Sequence, residues 1–170
     1  MIKEVKIEEI SSVMEIIADA KRLLKKQSSQ WQNDYPNQKV LLDDISNQNL
    51  FGFFQDGLLI GIESLIIKED ENYKGITLGK WIKKPSQKDL VIHRIAVRNN
   101  YHNKKIGDQL IKFAIDYAKR KKMHSIKVDT HKKNIAMQKI LLDDNFSFRG
   151  IIYLKREEDD NQRLAYELVI

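Results

Sequence analysis

One segment constrains the fold of this chain more than any other: an apolar strand runs into a polar loop that opens an amphipathic helix. The strand is VIHRIAV (91–97), the loop is RNNYHNKKIG (98–107), and the helix is DQLIKFAIDYAKRKK (108–122). The first turn of a helix has four N–H groups without an intrahelical partner, and the aligned peptide dipoles make that end positive. Phosphate binds well at such a place, so the junction predicts a site for an anionic ligand.

The composition of the loop supports the same interpretation. Gly107 falls in the predicted first turn of the helix, where glycine costs about 1 kcal/mol relative to alanine. A close approach by a ligand or by backbone would explain a glycine there. Arg98, Lys104 and Lys105, with His102 beside them, add positive charge that attracts a pyrophosphate group. The alternative is an ordinary strand-to-helix turn with solvated lysines, and the local chemistry alone leaves both interpretations open.

A second strand and helix follow this segment, and then a terminal hairpin. SIKVDT (125–130) predicts a strand, and HKKNIAMQKILLDDNFSFRG (131–150) predicts a helix that leads to another strand. The hairpin is predicted from GIIYL (150–154) and RLAYELVI (163–170).

The order and spacing of these motifs resemble the acetyl-CoA-binding core of the GNAT N-acetyltransferase superfamily. The usual loop signature of that family is Arg or Gln, two residues, Gly, one residue, then Gly or Ala. This chain has His102 in the first position, Lys105 in place of the first glycine, and Gly107 in the last position. Asn134 stands where GNAT enzymes often have the asparagine that contacts the pantetheine and diphosphate region, although it is also a favoured helix N-cap.

The resemblance implies an α/β (α+β) fold of GNAT type, in which a central mixed, mostly antiparallel sheet is flanked by helices. A single domain over residues 1–170 is expected, because this length is close to that of one domain and 42% of the residues are apolar. The upstream patterns agree with such a fold. They predict strands at 2–5, 49–55 and 58–67, helices at 8–26 and 38–47, and a short extra strand around 75–81.

The resemblance also implies that acetyl-CoA is the acyl donor. In that fold the two parallel strands splay apart, and the free backbone groups of the first strand hydrogen-bond the pantetheine amides like a missing neighbouring strand. The side chains of that strand are interpreted as core. The implied cofactor-binding residues are Ile95, Ala96, Val97, His102, Asn103, Lys104, Lys105, Ile106, Gly107, Asp108 and Asn134.

Acyl transfer to an amine needs a base for the amine proton, donors for the developing oxyanion and a way to release the thiolate. His93 is the best candidate base, because the family places its substrate pocket beside this strand; the alternative is a hydrogen-bonded structural histidine. Glu63 on the preceding strand, and Asp129 and His131 at the end of the parallel strand, are rival bases. The alternative for Glu63 is a position that faces solvent on a half-buried sheet. Many GNAT enzymes protonate the thiolate with a tyrosine, and Leu141 stands at that position here. Tyr153 and Tyr101 are therefore the candidate acids, and the alternative for Tyr153 is a structural aromatic residue on a strand.

The acceptor is expected to be a primary amine of a small molecule or peptide, and its identity does not transfer within the family. Trp31, Tyr35 and Trp81 are candidates to line the acceptor pocket, because the segment between the first two helices borders the acceptor in this fold. The alternative is that these aromatic residues cover the sheet edge. Asp129 and His131 at the end of the parallel strand are further substrate-binding candidates. Asp129 has the alternative role of ordering the loop before Asn134.

Composition excludes several classes of chemistry. The chain has no cysteine, which rules out disulfides, a thiolate zinc site and an acyl-cysteine intermediate, so acetyl transfer has to be direct. Four scattered histidines give no metal-ligand spacing. No apolar run approaches the ~18 residues of a membrane span, and the charged N-terminus does not resemble a signal peptide, so a cytoplasmic location is expected.

The net charge of +6 raises the possibility of nucleic-acid binding, but much of the positive charge lies in short lysine runs that close helices and complement their dipoles. No nucleic-acid-reading motif accompanies them. The sequence therefore predicts an acetyl-CoA-dependent N-acetyltransferase, monomeric or homodimeric, that acts by direct attack of the amine. The alternatives are a non-catalytic module of the same fold that binds acyl-CoA or a partner and, more remotely, a basic nucleic-acid-binding protein.

Overall fold

The computed structural model describes residues 1–27, 30–31, 33–102, 104–155 and 159–170. Within those residues the chain forms seven strands and four α-helices. In chain order they are β1 (Ile2–Glu4), α1 (Ile10–Gln27), α2 (Gln38–Ser46), β2 (Leu50–Gln55), β3 (Leu58–Ile67), β4 (Asp89–Val97), α3 (Ile106–Arg120), β5 (Ser125–Thr130), α4 (Ile135–Asp143), β6 (Ser147–Tyr153) and β7 (Gln162–Val169). Short 3₁₀ turns occur at Ile7–Glu9, Glu71–Tyr73 and Asn99–Tyr101.

The strands form one sheet in the order β1-β2-β3-β4-β5-β7-β6. β4 and β5 pair in parallel, with Asp89 opposite Ser125 and Ile92 opposite Val128. Antiparallel pairs join β1 to β2, β2 to β3, β5 to β7 and β6 to β7. The predicted mixed, mostly antiparallel sheet flanked by helices is therefore confirmed.

The chain divides into two compact units. The first unit contains residues 1–65 and 93–113, and the second contains residues 66–92 and 114–170. β4 thus contributes its first four residues to the second unit and His93–Val97 to the first. The expectation of a single domain over residues 1–170 stays a prediction.

The core of the first unit forms where the apolar stripe of α1 meets β2, β3 and α2. Residues three or four apart in a helix share one face, which explains why this stripe is buried as a continuous surface. Its partners come from α2, β2 and β3. The buried set includes Val13, Ile16, Ile17, Ala20, Leu41, Leu50, Leu59 and Ile62.

The core of the second unit includes Tyr73, Trp81, Val91 and Ile152. The expected strand around 75–81 does not form. Instead, this segment makes one isolated β-bridge, in which the N–H groups of Thr77 and Ile151 donate to each other's carbonyls at 2.8 and 2.9 Å.

Two glycines allow this close approach. A Cβ on Gly79 would lie 1.9 Å from the carbonyl oxygen of Arg149, and Gly150 has φ +145° with the carbonyl oxygen of Thr77 at 2.6 Å from the position of a Cβ. A residue with a side chain fits at neither position without moving the backbone. The segment therefore packs on β6 through backbone contact, which periodicity does not predict.

Candidate functional site

The β4–α3 junction has the geometry that the sequence predicts for an anion site. After Val97 the chain makes a 3₁₀ turn at Asn99–Tyr101, and α3 starts at Ile106. The first hydrogen bond of the helix runs from the Gln109 N–H to the Lys105 carbonyl at 3.1 Å. The N–H groups of residues 106–108 therefore have no acceptor within the helix, and Gly107 lies in its first turn, as predicted.

Lys105 adopts φ +57° immediately before α3. This is the left-handed region, which glycine enters freely and other residues at a cost. The position is the one where the family signature has glycine. Lys105 therefore adopts the left-handed backbone conformation that glycine favours, although it carries a side chain. Its backbone N–H group is still present in the loop.

Other contacts hold the loop against the rest of the first unit. The Arg98 N–H donates to the Ile60 carbonyl at 2.8 Å, and the Arg98 guanidinium contacts the Leu59 carbonyl at 3.2 Å and a Glu15 carboxylate oxygen at 3.0 Å. The Asn99 N–H donates to Oδ2 of Asp19 at 3.0 Å. That backbone hydrogen bond is the main cause that lowers the pKa of Asp19. Arg98 thus anchors the loop with its side chain.

The remaining charged side chains of the loop are exposed or locally paired. Lys104 places its ammonium 4.5 Å from the centre of the Tyr101 ring, a cation–π contact. Asp108 accepts a hydrogen bond of 2.8 Å from Lys112 one turn later. His102 follows the 3₁₀ turn and donates its N–H to the Asn99 carbonyl at 3.3 Å. Asn103, another predicted cofactor-binding residue, lies outside the described residues.

The last residues of β4 alternate between the two faces of the sheet. Ile95 and Val97 pack with Ile106 of α3, while Ala96 lies in the α1 core on the opposite face. Their side chains are thus core, as expected. A role in holding pantetheine therefore rests on their backbone groups.

Two candidate catalytic residues lie in the first unit. His93 is half-buried on β4. Glu63 is fully buried on β3, opposite Phe51, whose ring lies 5.3 Å from that of Phe113 on α3. Glu63 is therefore on the α3 face, because directly opposed residues of antiparallel strands point to the same side.

Neither carboxyl oxygen of Glu63 has a hydrogen-bond partner among the described residues. Burial raises the pKa of Glu63 well above its ordinary value. The alternative that Glu63 faces solvent on a half-buried sheet is wrong, since its side chain is fully buried.

The second unit holds the other candidates. The Asp129 carboxylate accepts a 2.8 Å hydrogen bond from the Tyr73 hydroxyl. His131 is buried; its Nδ1 accepts the Lys133 N–H at 3.1 Å and its Nε2 lies 2.6 Å from Oδ2 of Asp160. Both ring nitrogens of His131 therefore have protein partners.

Three further positions of the second unit bear on the predicted chemistry. Asn134 caps α4 by accepting the Met137 N–H at 3.2 Å, which matches the structural alternative given for it. Leu141 is fully buried at the position of the usual tyrosine. Tyr153 is 46% exposed on β6, and its hydroxyl accepts a 3.3 Å hydrogen bond from the Gln162 side chain.

Two of the predicted acceptor residues lie in the first unit. Trp31 packs against the α1 core, and the Tyr35 hydroxyl accepts a hydrogen bond of 2.7 Å from Arg94. The sequence interpretation did not single out Arg94, which also pairs with Asp44. The available signal was an arginine inside an apolar strand, because a buried arginine requires an anionic partner.

Two other kinds of site are absent from the part of the chain that the structure describes. No group of three or more His, Asp or Glu side chains there could hold a metal ion. No described helix is long and apolar enough to cross a membrane.

The fold agrees with comparisons to known proteins. A GNAT acetyltransferase structure from Streptococcus agalactiae 2603 is 29% identical, with a TM-score of 0.88 over 100% of this chain and 95% of the other. The PaiA N-acetyltransferase of Thermoplasma acidophilum, solved in complex with coenzyme A, is 19% identical, with a TM-score of 0.71 over 100% and 98%. The ribosomal-protein-alanine N-acetyltransferase of Brucella melitensis is 13% identical, with a TM-score of 0.74 over 100% and 99%.

None of the curated protein sequences matches this chain. The sequence model described as "Acetyltransferase (GNAT) family" matches residues 12–142, which is well over half of the chain and includes the β4–α3 loop. By this match, and in agreement with its fold, the chain belongs to the GNAT acetyltransferase family.

Proposed function

We propose that this protein transfers an acetyl group from acetyl-CoA to a primary amine by direct attack of the amine on the thioester. The observation that carries the proposal is the β4–α3 junction, where a basic loop leads into a helix whose first N–H groups have no intrahelical acceptor. Membership of the GNAT family supports acyl transfer from an acyl-CoA. That the acyl group is acetyl and that the acceptor is an amine are proposed in addition to this family assignment.

The residues of the first unit fit the donor. The N–H groups of Ile106, Gly107 and Asp108 are oriented along the axis of α3 toward its positive end, which suits a diphosphate. Lys104 and Lys105 add charge beside them. The backbone of Ile95–Val97 is proposed to hydrogen-bond the pantetheine amides, while the side chains of these residues stay in the core. Asn103, which lies outside the described residues, and Asn134, a residue of the second unit, remain in the proposed set on the sequence resemblance alone.

His93 is the proposed general base. It is half-buried on β4, two residues before the strand positions proposed to hold pantetheine. Glu63 suits this role less well, because burial favours its protonated form and a protonated carboxyl cannot accept a proton. The absence of cysteine leaves no thiol to form an acyl-enzyme, which supports direct attack.

The proposed acid for the departing thiolate is Tyr153, a half-exposed residue of β6. The alternative function is a non-catalytic module that binds acyl-CoA or a partner through the same fold. The observation in its favour is Leu141, a fully buried apolar residue where many GNAT enzymes have a tyrosine. A missing acid slows release of the coenzyme A thiolate without preventing it, since this thiol is a fairly good leaving group.

Calorimetric titration with acetyl-CoA tests the donor site. Gly107→Glu places a carboxylate in the first turn of α3 and is expected to abolish binding, because the negative charge and bulk displace the diphosphate. Gly75→Glu is the matched control, since a Cβ on Gly75 meets no atom within 4 Å. Dephospho-coenzyme A measures the contribution of the ribose phosphate. Equal affinity of wild type and Gly107→Glu would contradict the proposed loop site.

Release of coenzyme A in the presence of amines tests the transfer step. The panel contains small polyamines, amino acids, aminoglycosides and peptides with free N-termini or lysines. Amine-dependent release, with mass spectrometry of the acetylated product, would establish the N-acetyltransferase. Tight binding of acetyl-CoA without transfer to any of these amines would favour the non-catalytic module.

A further inference from the structure

Arg94 forms a buried ion pair that connects β4 to α2. Its Nε lies 2.6 Å from Oδ2 of Asp44, and its Nη2 lies 2.8 Å from Oδ1 of the same carboxylate. Each side chain of the pair is only 8% exposed. The Ser64 hydroxyl donates a further hydrogen bond of 2.6 Å to Asp44. This two-point geometry fixes the plane of the guanidinium.

The remaining nitrogen of the guanidinium, Nη1, contacts the segment between α1 and α2. Nη1 of Arg94 donates to the Tyr35 hydroxyl at 2.7 Å. Tyr35 lies just before Asn37, which caps α2 by accepting the Val40 N–H at 3.1 Å. One side chain from β4 therefore holds both α2 and the segment that precedes it.

The backbone of Arg94 adopts an unfavourable conformation in this arrangement. Its φ of +51° is in the left-handed region, although it lies inside a strand and has a long side chain. Such conformations persist where surrounding contacts determine them, and they are concentrated at functional sites. A lysine could not make the same contacts, because a single ammonium group lacks the planar fork that binds a carboxylate at two points and a hydroxyl at a third.

We infer that Arg94 is a positioning residue that fixes Tyr35 and residues 33–37 against β4, and so sets the surface that receives the acceptor amine. The inference rests on the proposed transfer function. It follows from the position of Arg94, whose backbone directly precedes the residues proposed to hold pantetheine while its side chain holds the segment predicted to border the acceptor. Arg94 thus adjoins both the proposed donor-binding strand residues and the proposed acceptor surface.

The test compares Tyr35→Phe and Arg94→Lys with wild type. Tyr35→Phe removes only the hydroxyl that Arg94 contacts, and it retains the ring. Tyr117→Phe, the same change on half-buried Tyr117 of α3, is the matched control. Three quantities are measured: KM and kcat for an amine that wild type accepts, the calorimetric Kd of acetyl-CoA, and hydrogen exchange of the amides of residues 33–41.

Tyr35→Phe and Arg94→Lys are expected to raise the KM of the amine about tenfold, the effect of losing a hydrogen bond to a charged group. The Kd of acetyl-CoA is expected to stay within twofold of wild type, and amide exchange in 33–41 to accelerate about tenfold while that of α3 is unchanged. Tyr117→Phe should leave all three quantities unchanged.

The possible failures are distinguishable. Faster exchange in 33–41 with an unchanged amine KM would mean that Arg94 is only structural, and would overturn the inference. Unchanged exchange in both variants would overturn it as well. Failure of wild type to acetylate any amine would overturn the transfer function and, with it, the acceptor role of Arg94, whatever the exchange rates show.

Discussion

Lys127 of β5 places its ammonium nitrogen 2.9 Å from Oδ2 of Asp89 at the start of β4, and neither side chain is accessible to solvent beyond 1%. The same nitrogen lies 3.4 Å from Oε1 of Glu167 on β7 and donates to the Ser125 hydroxyl at 2.7 Å. Glu167 in turn accepts the N–H groups of residues 82 and 83 at 2.6 and 3.0 Å. One buried cation therefore joins three strands and a loop of the second unit.

Lys127→Met is expected to lower the free energy of unfolding by about 3–5 kcal/mol, because it leaves the buried Asp89 carboxylate without its cation. Glu167 keeps its longer pair to Arg149, at 4.0 Å. Urea denaturation monitored by circular dichroism measures the change. Lys119→Met, the same substitution on an exposed residue of α3, is the control and should change stability by less than about 0.5 kcal/mol. A loss for Lys127→Met as small as that of the control would contradict the importance of the buried pair.

Gly79→Ala is expected to destabilise the protein by about 2–3 kcal/mol, because the new Cβ would lie 1.9 Å from the Arg149 carbonyl oxygen and the segment has to move away from β6. Gly75→Ala is the matched control. No atom lies within 4 Å of a Cβ there, so its effect should stay within about 0.5 kcal/mol of wild type. Thermal unfolding compares the two, and similar melting temperatures would show that the segment does not depend on this contact.

Glu63 should give the stability of the protein a distinctive pH dependence. Burial raises its pKa well above the ordinary value of 4.5, so the folded state keeps a proton that the unfolded state releases. Below that ordinary value Glu63 is neutral in both states. Above it the unfolded state ionises, and stability falls by up to about 1.4 kcal/mol per pH unit until the folded carboxyl also ionises.

Glu63→Gln removes this titration. The variant is therefore expected to gain stability relative to wild type as the pH rises from about 5 toward neutrality. Urea unfolding at a series of pH values measures the difference, and Glu8→Gln on an exposed residue is the control. Parallel pH curves for wild type and Glu63→Gln would mean that the buried carboxyl does not hold its proton in the fold.

The elements that carry strong periodicity could be predicted from the sequence. β5 was predicted at its observed bounds, and α2 differs by one residue from its prediction. The loop from Arg98 to Gly107 was found because helix starts have a defined chemistry that glycine and basic residues reveal. The wrong secondary-structure expectation concerns residues 75–81, which are held by backbone contact at Gly79 and Gly150 rather than by alternating side chains.

The buried polar network around Arg94 was missed for a related reason. Its members Asp44, Ser64 and Tyr35 are separated from Arg94 by 30 to 59 positions in the chain. Hydrophobic patterning predicts which faces are buried, but it does not pair charges across different elements. A charged residue inside an apolar strand, as at Arg94 and Lys127, was the signal available, and it indicates only that some partner exists.

His93→Gln is expected to lower kcat by about 10²–10⁴-fold if His93 accepts the amine proton, since this is the usual contribution of a general base. The calorimetric Kd of acetyl-CoA should not change, because the proposed donor contacts begin at Ile95. His124→Gln, on an exposed histidine before β5, is the control. Full activity of His93→Gln would assign the histidine to a structural role and would mean that another group accepts the amine proton.

Lys105 allows the backbone geometry of the loop to be separated from its charge. Lys105→Gly and Lys105→Val both remove the ammonium group, but only valine is strained at φ +57°. Lys105→Val is expected to be less stable than Lys105→Gly by about 1–2 kcal/mol, and to bind acetyl-CoA more weakly because strain displaces the N–H groups at the start of α3. The salt dependence of acetyl-CoA binding should decrease equally in both variants, because both lack the ammonium group. Calorimetry at two salt concentrations and thermal unfolding measure these effects. Equal stability and affinity of the two variants would show that the left-handed conformation of Lys105 does not shape the loop.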